Sequence, residues 1–143
     1  EVFTLKAYHS FINPERSIEE YAEAVHGISD AAVEDAPVFS EIAQEVVDFL
    51  SGAELIVHSA PFTVAFLNTE LTGAGEGKIE KICTSVSDTL DMARKLRPSA
   101  KNNIDTLIQD FSIEPPKRTV HGAELDAYLI GSIFHALKKQ TLH

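Results

Sequence analysis

Apolar positions along the chain change their period several times, and each change marks an element. Residues 2–9 mix Val2, Leu5 and Ala7 with Phe3, Thr4 and Tyr8, a β-rich composition that predicts a strand, and Asn13-Pro14 breaks it. Ser17 with Glu20 has the form of a capping box, in which a serine oxygen and a carboxylate each satisfy a free backbone N–H at a helix start. A short helix to about residue 25 follows, closed by a turn at His26-Gly27-Ile28-Ser29. After Pro37, the residues Val38, Ile42, Val46, Phe49 and Leu50 form one apolar stripe, an amphipathic helix that stops at Gly52.

The second half keeps alternating. Residues 53–58 are a short β-branched run bounded by turn residues, the pattern of a buried strand. Pro61 suits the first turn of a helix over residues 61–71. The glycine-rich stretch 72–78 matches neither a phosphate-cradling loop nor a dinucleotide fingerprint, and reads as a flexible connection. A strand is predicted over residues 79–86, a helix over 88–96, and another over 102–111 with Ile104, Leu107, Ile108 and Phe111 on one side. After Pro115-Pro116 the last helix covers residues 121–137, with Leu125, Leu129, Ile133 and Leu137 in register. Strands alternating with helices give an α/β or α+β class, and pattern alone stops there.

Composition narrows the picture. A length of 143 residues fits one domain, and 44% hydrophobic with 24% charged residues is that of a folding globular chain. No apolar run approaches the roughly 20 residues that span a bilayer, and no signal pattern opens the chain, so no membrane partner and a cytoplasmic location are expected. The lone Cys83 excludes an internal disulfide and reads as a small core residue. A net charge of −10 argues against a general electrostatic binder of nucleic acid. The charge is uneven, however: residues 1–75 hold two basic and thirteen acidic residues, whereas residues 76–143 hold ten and nine. Phosphate contacts should therefore come from Lys78, Lys81, Arg94, Lys95, Arg97, Lys101, Lys117 or Arg118, each of which has the alternative of a solvated face.

Specific segments then carry a resemblance. Residues 25–71 contain a His-Gly-Ile turn, a Pro-x-Phe helix start, a strand ending in His58, and a helix led by Phe62. Residues 84–96 (TSVSDTLDMARKL), 102–107 (NNIDTL) and 117–130 (KRTVHGAELDAYLI) follow in order. In this arrangement the chain resembles the DnaQ-like (DEDDh) 3′-to-5′ exonucleases, the family of proofreading subunits of bacterial replicative polymerases. The resemblance implies an α/β, ribonuclease H-like fold: a mixed sheet flanked by helices, here a single incomplete domain over residues 1–143 that lacks the family's first two strands. It also implies phosphodiester hydrolysis at a DNA 3′ end by two Mg²⁺ or Mn²⁺ ions, held by oxygen ligands.

Family ligands are an Asp-x-Glu pair on the first strand, an Asp following the second motif's Phe, and an Asp five residues beyond the third motif's His. That His takes the proton of the attacking water. Carried onto this sequence, the third motif is present as His121, the catalytic base, and Asp126, a metal ligand. The second is altered, because Thr63 follows Phe62 where the aspartate belongs, and no Asp-x-Glu stands before Phe3. A neutral hydroxyl and a single carboxylate cannot offset two dications stripped of water, so metal binding is expected weak or absent and the chain inactive.

Alternatives remain at each position. His121 and Asp126 read otherwise as a helix-start histidine and a solvated aspartate. Phe62 packs beside the terminal nucleotide in the family, or is a core aromatic. His26 lines the family's 3′-end pocket, or is a turn histidine bonded to backbone. His58 reads as structural. The function is then a fragment or degenerate member of the proofreading-type exonucleases; the alternative is a non-catalytic scaffold that binds DNA ends or a polymerase subunit. Absent opening strands would leave a sheet edge unpaired, which predicts a homo-oligomer, a strand-swapped dimer or a rearranged sheet.

Overall fold

A computed structural model of the chain describes residues 6–114 and 122–141. Two strands, β1 (Glu54–Val57) and β2 (Ser85–Asp88), pair in parallel with Glu54 opposite Ser85 and Val57 opposite Asp88. Parallel strands need a long crossover. Here it is made by α4 (Ala60–Gly73) and the single turn α5 (Ile79–Ile82). Before β1 lie α1 (Glu20–His26), α2 (Asp30–Val33) and α3 (Phe39–Leu50); after β2 come α6 (Thr89–Leu96), α7 (Ile104–Asp110) and α8 (Ala123–Thr141).

Two apolar clusters hold these elements. In one, Leu71, Ile79 and Cys83 are buried against Val47 and Leu50 of α3, Val64 and Leu67 of α4, and Leu55 and Val86 of the two strands. In the other, Ala93 of α6 and Leu107 of α7 meet Ile133 and Leu137 of α8. The stripe foreseen on the last helix is intact, since Leu125, Leu129, Ile133 and Leu137 are all buried. Spacing by four keeps a side chain on one helix face, which is why this longest helix can seal α6, α7 and β1 together. Only one side of α4 is covered this way: Phe62 and Phe66 stand 69% and 61% exposed.

Several expectations change. Residues 79–82 form a helical turn and the strand starts only at Ser85. Ile79 and Cys83, four apart, both face the buried cluster, which a turn of helix permits, and the Gly52 N–H donates to the Ile82 carbonyl at 2.9 Å. The capping box at Ser17 is not formed. Helix α1 begins at Glu20 behind Glu19, because the Ile18 N–H is held instead by the Asp30 carboxylate at 2.8 Å. Residues 6–9 form no strand, and residues 1–5 lie outside the described residues. That segment meets side chains rather than a strand edge: the Tyr8 hydroxyl donates to Glu45 at 2.9 Å and its ring packs 6.0 Å from Phe49. The glycine-rich connection is a tied turn, with the Glu76 N–H on the Leu71 carbonyl and the Ile79 N–H on the Asn68 side chain, both 2.8 Å.

Candidate functional site

Parallel strands that each feed a helix bring the helix N-termini to the same end of the sheet, and their free backbone N–H groups favour an anion there. In this chain the anion is internal. The Asp88 carboxylate, at the end of β2, accepts from Ser59 N–H (2.9 Å) and Ala60 N–H (2.7 Å) at the start of α4. It also accepts from Leu90 N–H (2.9 Å) and Asp91 N–H (3.4 Å) at the start of its own helix α6. Burial pushes this carboxyl up, but the backbone donors of Ala60, Ser59, Asp91 and Leu90 together outweigh it and hold it below the usual value. Ser59 takes a positive φ of 78°, a conformation that costs a non-glycine residue about 1 kcal/mol and aims its N–H at Asp88.

His58 lies between the same two strand ends. Its Nδ1 is 2.8 Å from the buried Thr89 hydroxyl, which itself donates to the Val57 carbonyl at 3.0 Å. Desolvation lowers the His58 pKa, against the backbone hydrogen bond to Asn102 and the Asp88 charge, which raise it. Through Nδ1 the ring ties the end of β1 to the start of α6, a structural contact. Asp88 and Thr89 were missed as organising residues. Their signal was an Asp placed just before an apolar helix, the form of an N-cap.

Asp126 stands in the first turn of α8, with its N–H on the Gly122 carbonyl at 3.0 Å. It lines a cavity of about 1070 Å³ together with His58, Arg94, Lys101, Asn102 and Asp105. Thr63 closes the first turn of α4, its N–H donating to the Ser59 carbonyl at 3.0 Å. Phe62 is not the core aromatic of one reading: it is exposed, and packs 5.9 Å from Phe66. His26 accepts the Ile28 N–H on Nδ1 at 2.9 Å across Gly27, whose φ of 72° makes the turn. An accepting Nδ1 leaves the ring proton on Nε2 in the neutral form. The same ring lines a second cavity of about 620 Å³ with Ile28, Gly122 and Glu124. His121 lies outside the described residues.

Whether these groups fit the family's metal pair is a question of donors. Among the described residues no three His, Cys, Asp or Glu side chains gather closely enough to hold an ion. Thr63 supplies a neutral oxygen and Asp126 one charge, which do not fit a pair of dications. No hydrolytic step can be routed through metals on these side chains alone. Among the described residues, no helix is long and apolar enough to cross a membrane.

Comparison with known proteins agrees with the fold. Residues 3–134 match the exonuclease family RNase_T. DNA polymerase III subunit epsilon of Haemophilus influenzae is 41% identical over 133 residues, 92% of this chain and 52% of that protein. The Escherichia coli K12 subunit of the same name is 37% identical over 132 residues, 91% of this chain and 54% of its own. The chain thus spans about half the length of the curated relatives it matches. Among solved structures, exonuclease X in complex with 5′ overhanging duplex DNA superposes with a TM-score of 0.63 over 92% of this chain and 72% of its own, at 20% identity.

Proposed function

The chain belongs to the DnaQ-like exonuclease family, and from that premise we propose that it is a fragment or degenerate member of the proofreading-type 3′-to-5′ DNA exonucleases, inactive as it stands. One observation carries this reading: Thr63, a neutral hydroxyl, stands at the position of the second-motif carboxylate. The roles follow from the matched motifs. His121 would be the general base, Asp126 a metal ligand, His26 and Phe62 contacts to the terminal nucleotide, and Mg²⁺ or Mn²⁺ would bind weakly or not at all. Location of His58, Asp126, Arg94 and Lys101 around one cavity supports placing the substrate there.

A second reading is favoured by Thr63 itself. Replacement of a ligand by a neutral residue is what a non-catalytic scaffold for DNA ends, or for a polymerase subunit, would tolerate. The parent sequence upstream of Glu1 separates the two: an Asp-x-Glu there favours a once-active enzyme, and its absence the scaffold. The exposed aromatic face of α4 supports a further partner, either a second copy, a swapped segment or another chain, which would cover Phe62 and Phe66. Activity is tested by incubating the chain with a 3′-labelled oligonucleotide and Mn²⁺, where no shortening is expected.

A further inference from the structure

Eight cations of the second half stood equal as phosphate contacts by sequence, and the structure separates them. Lys95 is engaged with Asp91 at 2.9 Å. Arg97 is paired with Asp110, and its guanidinium lies 5.6 Å from the centre of the Phe111 ring. Lys78 precedes α5 as its N-cap and Lys81 lies within it, and neither lines the cavity that holds His58 and Asp126. Lys117 and Arg118 lie outside the described residues. Arg94 and Lys101 remain. Both line the cavity that also holds Asp126 and His58, and neither joins an ion pair among the described residues.

Their placement is built into the fold. Arg94 projects from α6, the helix anchored at its start by Asp88. Lys101 sits on a short loop that Asn102 fastens from beneath: this side chain is 7% exposed, and its Nδ2 donates to the carbonyls of Arg97 and Ala100, both at 3.1 Å. A chain of net charge −10 thus presents two uncommitted cations, on separate elements, to one concave surface. Asp105 and Asp126 line the same cavity and would repel an anion there, so binding needs the cations.

The geometry points to Arg94 and Lys101 as the phosphate contacts that hold a single-stranded nucleic acid in this cavity, beside Asp126. This deepens the proposed function, since it rests on the chain retaining its family's ligand class. A guanidinium offers paired N–H donors and an ammonium a point charge to successive phosphodiester groups. Recognition runs through the backbone and is indifferent to base.

Fluorescence anisotropy with labelled oligothymidylate and oligouridylate, in EDTA and between about 50 and 200 mM salt, tests this. EDTA suppresses turnover, so the result stands apart from whether the chain can cleave. The double variant Arg94→Gln/Lys101→Gln should weaken binding about tenfold at the lowest salt and flatten the slope of log affinity against log salt by about 1.4, or about 0.7 for each lost phosphate contact. Lys95→Gln and Lys78→Gln should leave both unchanged, and Asp126→Asn should tighten binding. Equal losses on the two oligonucleotides support contact with the phosphodiester. Absence of binding by the unmodified chain, a loss with only one sugar, or an equal loss in Lys95→Gln would overturn the assignment.

Discussion

Replacing Asp88 by alanine removes in one step the acceptor for four backbone N–H groups at the starts of α4 and α6. Loss of a helix cap costs about 1 kcal/mol, and each partly buried N–H left without an acceptor adds to it, so the two caps together should cost about 3 kcal/mol at neutral pH. Asparagine keeps one oxygen for Ser59 and Leu90 but turns an NH₂ toward Ala60, and should cost about half as much. The pH dependence follows from the lowered pKa of Asp88. Its contribution is fully present above the unfolded value of about 3.9 and is lost as pH falls through the lower folded value. Urea unfolding followed by far-ultraviolet circular dichroism at pH 7, and again below pH 3, measures both. The stability gap between the unmodified chain and Asp88→Ala should narrow at the acid end. A gap under about 0.5 kcal/mol at pH 7, or one that does not change with acid, would refute the double cap.

Other outcomes follow from the same packing. Ile133→Ala should destabilise by about 3 kcal/mol in urea unfolding, because Ile133 is fully buried between α6, α7 and α8. Thr89→Val keeps the shape but strands the Val57 carbonyl and His58 Nδ1, and should cost about 2 kcal/mol by the same measurement. The His58 ring should titrate below the usual histidine value in nuclear magnetic resonance. Stability tied to its neutral form is then present above about pH 6.5 and lost as pH falls through the lower folded value. Light scattering on the purified chain should show association through the uncovered α4 face, whereas a compact, cooperatively unfolding monomer would count against it.

Much of this was readable from residues. The stripe of Leu125, Leu129, Ile133 and Leu137 gave the last helix and its buried face, because a four-residue period has one meaning on a helix. β1 was equally plain, a short β-branched run between turns. Residues 79–82 misled because isoleucines are common in strands, and only the packing of Ile79 against Leu71 decides for a turn of helix. Ser17 satisfied a local capping pattern that a more distant residue, Asp30, overrode through Ile18. At the site, the motif residues were named by resemblance, while Asp88 and Thr89 needed coordinates. The cap of Asp88 on α6 has a local form, but its hold on α4 and the contact of Thr89 with His58 join residues about thirty apart across the crossover, a separation that no local pattern encodes.

The proposed function turns on Thr63, since a neutral hydroxyl at a ligand position would remove one of the charges that a pair of dications needs. The most direct measurement is release of nucleotide from a labelled 3′ end by the purified chain in Mn²⁺. No release above buffer is expected; steady turnover that disappears in His121→Ala would contradict it.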